Sequence, residues 1–139
     1  NWGYAIPERQ SQFAHRLIEE GIDLVHGHCS HHVKAVEVYR DHLILYGCGD
    51  LITDYEGISA HESFRSDLAL IYLVTMDPQQ GRLLGLRLVP MQVRHFRLNR
   101  VSKSDARWLC NRLNDLGSSF STEVRLADDN SMTLQLRSS

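Results

Sequence analysis

Two long apolar runs joined by a tight turn constrain this chain more than any other feature. "DLALIYLVTM" (67–76) and "GRLLGLRLVPMQVRHFRL" (81–98) flank "DPQQG" (77–81). Short β-rich runs bounded by Pro and Gly read as strands, and a turn this short makes them neighbours. The second run is read as one strand. Leu84, Leu86 and Leu88 point to one side, and Arg87 and Val89 to the other. Pro90 should then mark a bulge, a bend or an edge. Arg87, Arg94, Arg97 and Arg100 are interleaved with apolar residues, so they read as a solvated strand face.

The remaining elements fit an α/β layered domain. Pro7 followed by "ERQSQFAHRLIEEG" predicts a helix with Pro7 at its first position and Gly21 at its C-terminal cap. Phe13, Ala14, Leu17 and Ile18 form its apolar face, and His15 falls off it toward solvent. "IDLVHG" (22–27) reads as a buried strand. "KAVEVY" and "HLILYG" predict a hairpin around Arg40-Asp41, a poor pair for a primed turn. "GCGDLITDYEGIS" predicts an ordered loop, and residues 60–66 a helical turn. Ser102 caps a last helix, with Asp105 reaching back to it. Ala106, Leu109, Cys110 and Leu113 form the buried stripe of that helix, Trp108 packs beside them, and Gly117 ends it. "TEVRLADDNSMTLQL" closes as a hairpin around Asp128, Asp129 and Asn130.

At 139 residues with 42% hydrophobic composition, the chain suits a single or partial domain over 1–139. Fifteen basic residues against seventeen acidic ones give a net charge of −2, which argues against a nucleic-acid partner. No run approaches the roughly 20 apolar residues of a membrane span, and no leader pattern is visible. Cys29, Cys48 and Cys110 form no disulfide framework or C-x-x-C pair. Reduced thiols lean toward the cytoplasm, and Cys29 and Cys48 read as small buried packing residues.

Residues 26–32 carry four of the eight histidines: His26, His28, His31 and His32. His28 and His31 have H-x-x-H spacing directly after a strand and a glycine. A strand end fixes the backbone, and the turn beyond it can aim side chains at one point. Neutral imidazoles bind Zn, Fe, Mn or Ni, although two of them do not complete a site. Two exposed turn histidines remain the alternative. His26 is either a core residue or one that supports the ligands. His32 is either a proton donor beside substrate or an exposed turn residue. Asp50 either contacts substrate or a ligand histidine, or bonds local backbone amides.

At these residues the chain resembles the bacterial capsule synthesis proteins of the CapA type, or poly-gamma-glutamate biosynthesis proteins, relatives of the calcineurin-like metallophosphoesterases. The resemblance runs through Gly27-His28, His31, Glu37-Val38-Tyr39 and Leu43 to Asp50, and through "NWGYAIPERQSQFAHRLIEEG" upstream. It covers residues 1 to about 75, with a weaker match beyond. It implies the C-terminal half of a layered metallophosphoesterase-like α/β sandwich with a mixed sheet and at least two helices. It also implies a dinuclear-type site in which His28 and His31 are ligands of a divalent metal ion (Mn, Fe or Zn). There the metal would activate water against a phosphate ester, and His32 and Asp50 would be the catalytic candidates. The family's earlier ligand motifs, of D-x-H, G-D and G-N-H type, belong to an N-terminal half that this stretch does not match. The fragment alone is therefore expected to hold half a site and to be inactive.

Two functions follow. One is a metal-dependent phosphoesterase-like hydrolase acting on an anionic small molecule or polymer. The other is a non-catalytic metal- or polymer-binding module in a polysaccharide or polyglutamate synthesis complex. A stand-alone His-rich metal-binding domain is a third. An N-terminal half or a second copy of the chain would be the partner that completes the site. The resemblance also allows a membrane-associated or extracytoplasmic setting.

Overall fold

Strand β3 (His42–Leu45) shows why the first half of the chain folds as it does. Its residues alternate between two buried faces. Leu43 and Leu45 enter one core, while Ile44 and the following Tyr46 enter another, and all four are under 5% exposed. A strand covered on both sides reads as a continuous apolar run, as "LILY" does. The computed structural model describes residues 2–28, 30–51 and 61–136.

Around β3 lies a mixed sheet. β1 (Leu24–His26) runs parallel to β3 on one edge, and β2 (Val36–Tyr39) runs antiparallel on the other. Helix α1 (Glu8–Glu19) covers one face through Ala14 and Ile18, which meet Ala35, Ile44 and Tyr46. The other face packs on an antiparallel sheet of β4 (Leu68–Met76), β5 (Leu83–Arg94), β8 (Met132–Leu136) and β7 (Thr122–Leu126), in that order, with β6 (Arg97–Arg100) also on β5. Helix α2 (Lys103–Gly117) joins this core through Ala106, Leu109, Cys110 and Leu113, as its periodicity predicts. The expected α/β class, with a mixed sheet and two helices, is present. Among the described residues, no helix is long and apolar enough to cross a membrane.

Several local expectations need correction. Pro7 stands at the N-cap of α1, one residue before the helix, while Gly21 takes the expected left-handed cap conformation at φ 97°. Phe13 is 65% exposed, outside the stripe of Ala14 and Ile18. His15 is half-buried rather than solvated. Its Nε2 lies 2.8 Å from Glu37 Oε1, and its ring stacks on Tyr39 at 3.8 Å. The buried Glu37 carboxylate also accepts from Tyr46 Oη at 2.6 Å. β1 is less buried than expected, with Leu24 and Val25 half-buried and His26 exposed, because it lies at a sheet edge.

Turns account for the rest. Arg40 and Asp41 form the primed turn despite their chemistry, at φ 50° and 68°. The contact of Arg40 with Glu19 at 3.2 Å and the Leu83 amide donating to Asp41 O at 2.7 Å brace it. The single strand read over 81–98 is two. β5 ends at Arg94, His95 and Phe96 turn at φ 53° each, and β6 returns along β5. Pro90 sits where one edge of β5 leaves β8 at Leu88 and takes up β6 at Met91, so a missing N–H breaks no ladder there. The register irregularity falls instead between Thr75 and Met76. Gly117 has an ordinary helical φ of −69°. A Cβ there would approach Thr122 O to 2.6 Å, and Ser121 supplies the left-handed residue. Asn130 (φ 65°) and Asp129, bonded to the Ser131 amide and hydroxyl, make the predicted last turn.

Candidate functional site

The histidine turn begins where β1 meets β3 most closely. Gly27 donates to Leu45 O at 2.6 Å, and a Cβ on it would lie 2.5 Å from Tyr46 O. Only glycine lets β1 leave the sheet this close to β3. His28 follows at the surface, and Gly49, at φ 74°, brings the far side of the turn against His32.

The four histidines separate into two environments. His26 and His28 are exposed, and among the described residues no hydrogen bond or ring contact reaches His28. His31 is half-buried, with Nδ1 2.8 Å from Asp50 Oδ2. Asp50 therefore contacts a histidine, one of the roles its position allows. If Nδ1–H donates to the carboxylate, Nε2 is the lone-pair nitrogen, the tautomer a metal binds.

His32 is fully buried, so it is not an exposed turn residue. Its Nδ1 lies 3.0 Å from Val33 O, and its Nε2 accepts from the Gly3 amide at 3.2 Å. That pattern requires the neutral ring, and burial holds its pKa below the ordinary histidine value. Both nitrogens serve the backbone, so His32 ties the chain start to the turn. Ser30 adds a bond to His32 O at 2.6 Å.

An aromatic wall that the sequence reading missed stands around these rings. Trp2 stacks on His61 at 4.1 Å and 13°, and lies 5.1 Å from His31 and 5.8 Å from His32. Phe64 stacks on His32 at 4.8 Å, and Tyr4 meets it edge-on at 4.7 Å. His61 and Phe64 come from the predicted helical turn, a 3₁₀ turn at Glu62–Phe64. Arg112 of α2 lies 4.7 Å over Tyr4 and 5.3 Å over Trp108, with its buried Nε unbonded among the described residues. Trp108 is thus the packing residue expected, held between Arg112 and Arg65. The contacts join residues about 30 to 110 positions apart, which no local pattern reveals.

Chemically, the turn offers two imidazoles, one backed by a carboxylate, beside an aromatic wall. Among the described residues no group of three His, Cys, Asp or Glu side chains is placed to hold a metal. Burial pushes the Cys48 thiol up to about 11, which suits the packing role expected of it. Cys29 and residues 52–60 of the predicted ordered loop lie outside the described residues.

Similarity to known proteins centres on the same region. The family model described as "Bacterial capsule synthesis protein PGA_cap" matches residues 1–55. Two Mycobacterium tuberculosis proteins, from strains CDC 1551 / Oshkosh and ATCC 25618 / H37Rv, are each 50% identical over 130 residues, or 94% of this chain. Both are described as "Probable polyglutamine synthesis accessory protein". The chain spans about a third (34%) of the length of these curated relatives. On these matches, the chain belongs to the bacterial capsule synthesis protein family.

Proposed function

We propose that this chain supplies two imidazole ligands, His28 and His31, to a metal-dependent phosphoesterase-like hydrolase that takes part in capsule or polyglutamate synthesis. The observation that carries the reading is the 2.8 Å contact between His31 Nδ1 and Asp50. A carboxylate behind an imidazole is a recurrent support for metal-ligating histidines. The donors suit a borderline divalent cation such as Mn, Fe or Zn. They are part of a set, and further donors must come from outside the described residues. The metalloesterase sandwich implied by the resemblance belongs to the same proposal.

Bound there, a divalent cation would polarise a phosphoryl oxygen and activate water. The chain's own residues have definable tasks. Asp50 fixes the tautomer and orientation of His31. Gly27 sets where His28 leaves the sheet. His32 holds the turn against Gly3. The Trp2 ring, stacked on His61, walls one side from water.

Metal analysis of the full polypeptide tests this. His28→Ala and His31→Ala should lose bound metal, and Asp50→Asn should weaken affinity about 10–100-fold. Metal retained by both alanine variants would end the reading. A second reading, a non-catalytic binding module, is favoured by the accessory role named for the relatives. Metal bound with stoichiometry but no turnover of a phosphodiester with manganese would favour it.

A further inference from the structure

Beside the histidine turn lies a cation without a counter-charge. Lys34 is half-buried, and no ion pair or side-chain hydrogen bond reaches its ammonium among the described residues. The acids of the turn and of β2 are engaged with other groups. Asp50 faces His31, and Glu37 is held by His15 and Tyr46. Arg65 shows the contrary case, since Asp67 and Asp105 both meet it.

The register of the small sheet fixes where Lys34 stands. β1 runs level with β3 as Val25–Ile44 and His26–Leu45, and the Gly27 amide carries the ladder on by donating to Leu45 O. One step further brings His28 level with Gly47. From the other side, Val36 is level with Leu45, and the Lys34 amide donates to Gly47 O at 2.9 Å. Gly47 therefore has His28 on one flank and Lys34 on the other, two strand spacings or roughly 10 Å apart. Residues level with one another on neighbouring strands share a face. His28 and Lys34 thus lie on one face, with no side chain from β3 between them.

Gly47 is not left-handed, so its bareness serves space rather than conformation. A Cβ there would collide with the Ser30 hydroxyl and come within 3.1 Å of Lys34 Cγ and Cδ. The lysine stem therefore crosses Gly47, from β2 toward the strand that ends in His28. A lysine that needed only water could point outward and leave position 47 free to carry a side chain.

We propose that Lys34 is the anion-binding side chain of this site, its ammonium gripping an oxyanion beside His28 and His31. An ammonium has three donors and no acceptor, so its complement is an acceptor oxygen and not a metal ion. It is a compact point charge, which suits a phosphoryl or a carboxylate oxygen alike. His32 cannot share this task, because both its nitrogens are spent on backbone groups. The proposal deepens the function above by naming what the site recognises, and it rests on that reading for the place of the site.

The test is a calorimetric titration of the full polypeptide with inorganic phosphate, and in a parallel arm with acetate. At least one should bind. Lys34→Met, which keeps an apolar stem but no charge, should weaken that binding about 10-fold or more. Lys34→Arg should recover most of it, and Lys34→Met should keep the fold in urea unfolding and the bound metal. An effect on phosphate alone assigns a phosphoryl ligand, and one on acetate alone a carboxylate. Undiminished binding by folded Lys34→Met overturns the inference, as does failure of the native protein to bind either anion. An equal loss in Lys34→Arg also overturns it, because packing would then be at issue. So does loss of metal in Lys34→Met, which would make Lys34 a support for the ligands. Metal retained by His28→Ala and His31→Ala registers separately, as failure of the metal reading alone.

Discussion

The histidine turn and the arginine hairpin sit at opposite extremes of how a polar cluster can be accommodated. At the turn the buried ring, His32, spends both nitrogens on backbone groups, and His31 leans on Asp50. At the hairpin, Arg94, Arg97 and Arg100 meet no counter-charge among the described residues, and Arg94 faces Arg97 across the ladder. The first cluster contributes to the fold, and the second strains it. Residue type alone therefore does not mark a binding surface.

The largest effect that could break this contrast is at His32. His32→Ala should cost about 2–4 kcal/mol, since it opens a cavity and strands the Gly3 amide and Val33 carbonyl. Urea unfolding measures it, and a loss under about 0.5 kcal/mol would mean the ring is not structural. Gly27→Ala should cost about 1–3 kcal/mol, because its methyl must displace the backbone of Tyr46. A smaller effect concerns acid. The pKa of His32 is lowered in the fold, so between the ordinary histidine value and that lowered value the unfolded chain binds more protons. The His32 contribution should be complete above about pH 6.5 and decline as pH falls through that window. His32→Asn should remove this part of the pH dependence in thermal melts. The smallest effect belongs to the hairpin. Changing Arg94, Arg97 and Arg100 together to glutamine should leave stability within about 0.5 kcal/mol, or raise it slightly. A large loss would show that the arginines have structural partners after all.

Much of the fold was legible because its signals are local. The Ser102 cap, the stripe of α2, the helix-Gly-strand unit and the last hairpin each rest on a few adjacent residues whose chemistry agrees. The break at His95–Phe96 was not legible. Alternation runs straight across it, and no glycine, asparagine or aspartate marks the turn. The pairing of His31 with Asp50 was among the contacts considered for Asp50. The aromatic wall was not foreseen, since Trp2, His61, Phe64 and Arg112 meet only through tertiary structure. Nor did helical periodicity anticipate the role of His15, because its partner Glu37 lies on another element.

That partner has a further consequence. The Glu37 carboxylate is clasped from the helix by His15 and from the sheet by Tyr46. Were α1 to slide by a turn, it would abandon a negative charge in an apolar layer, so the helix has a single seat. The segment ahead of α1 is anchored at its other end, through Gly3, to His32. Where Trp2 rests over the imidazoles is thus decided partly by an acid on the remote side of the sheet.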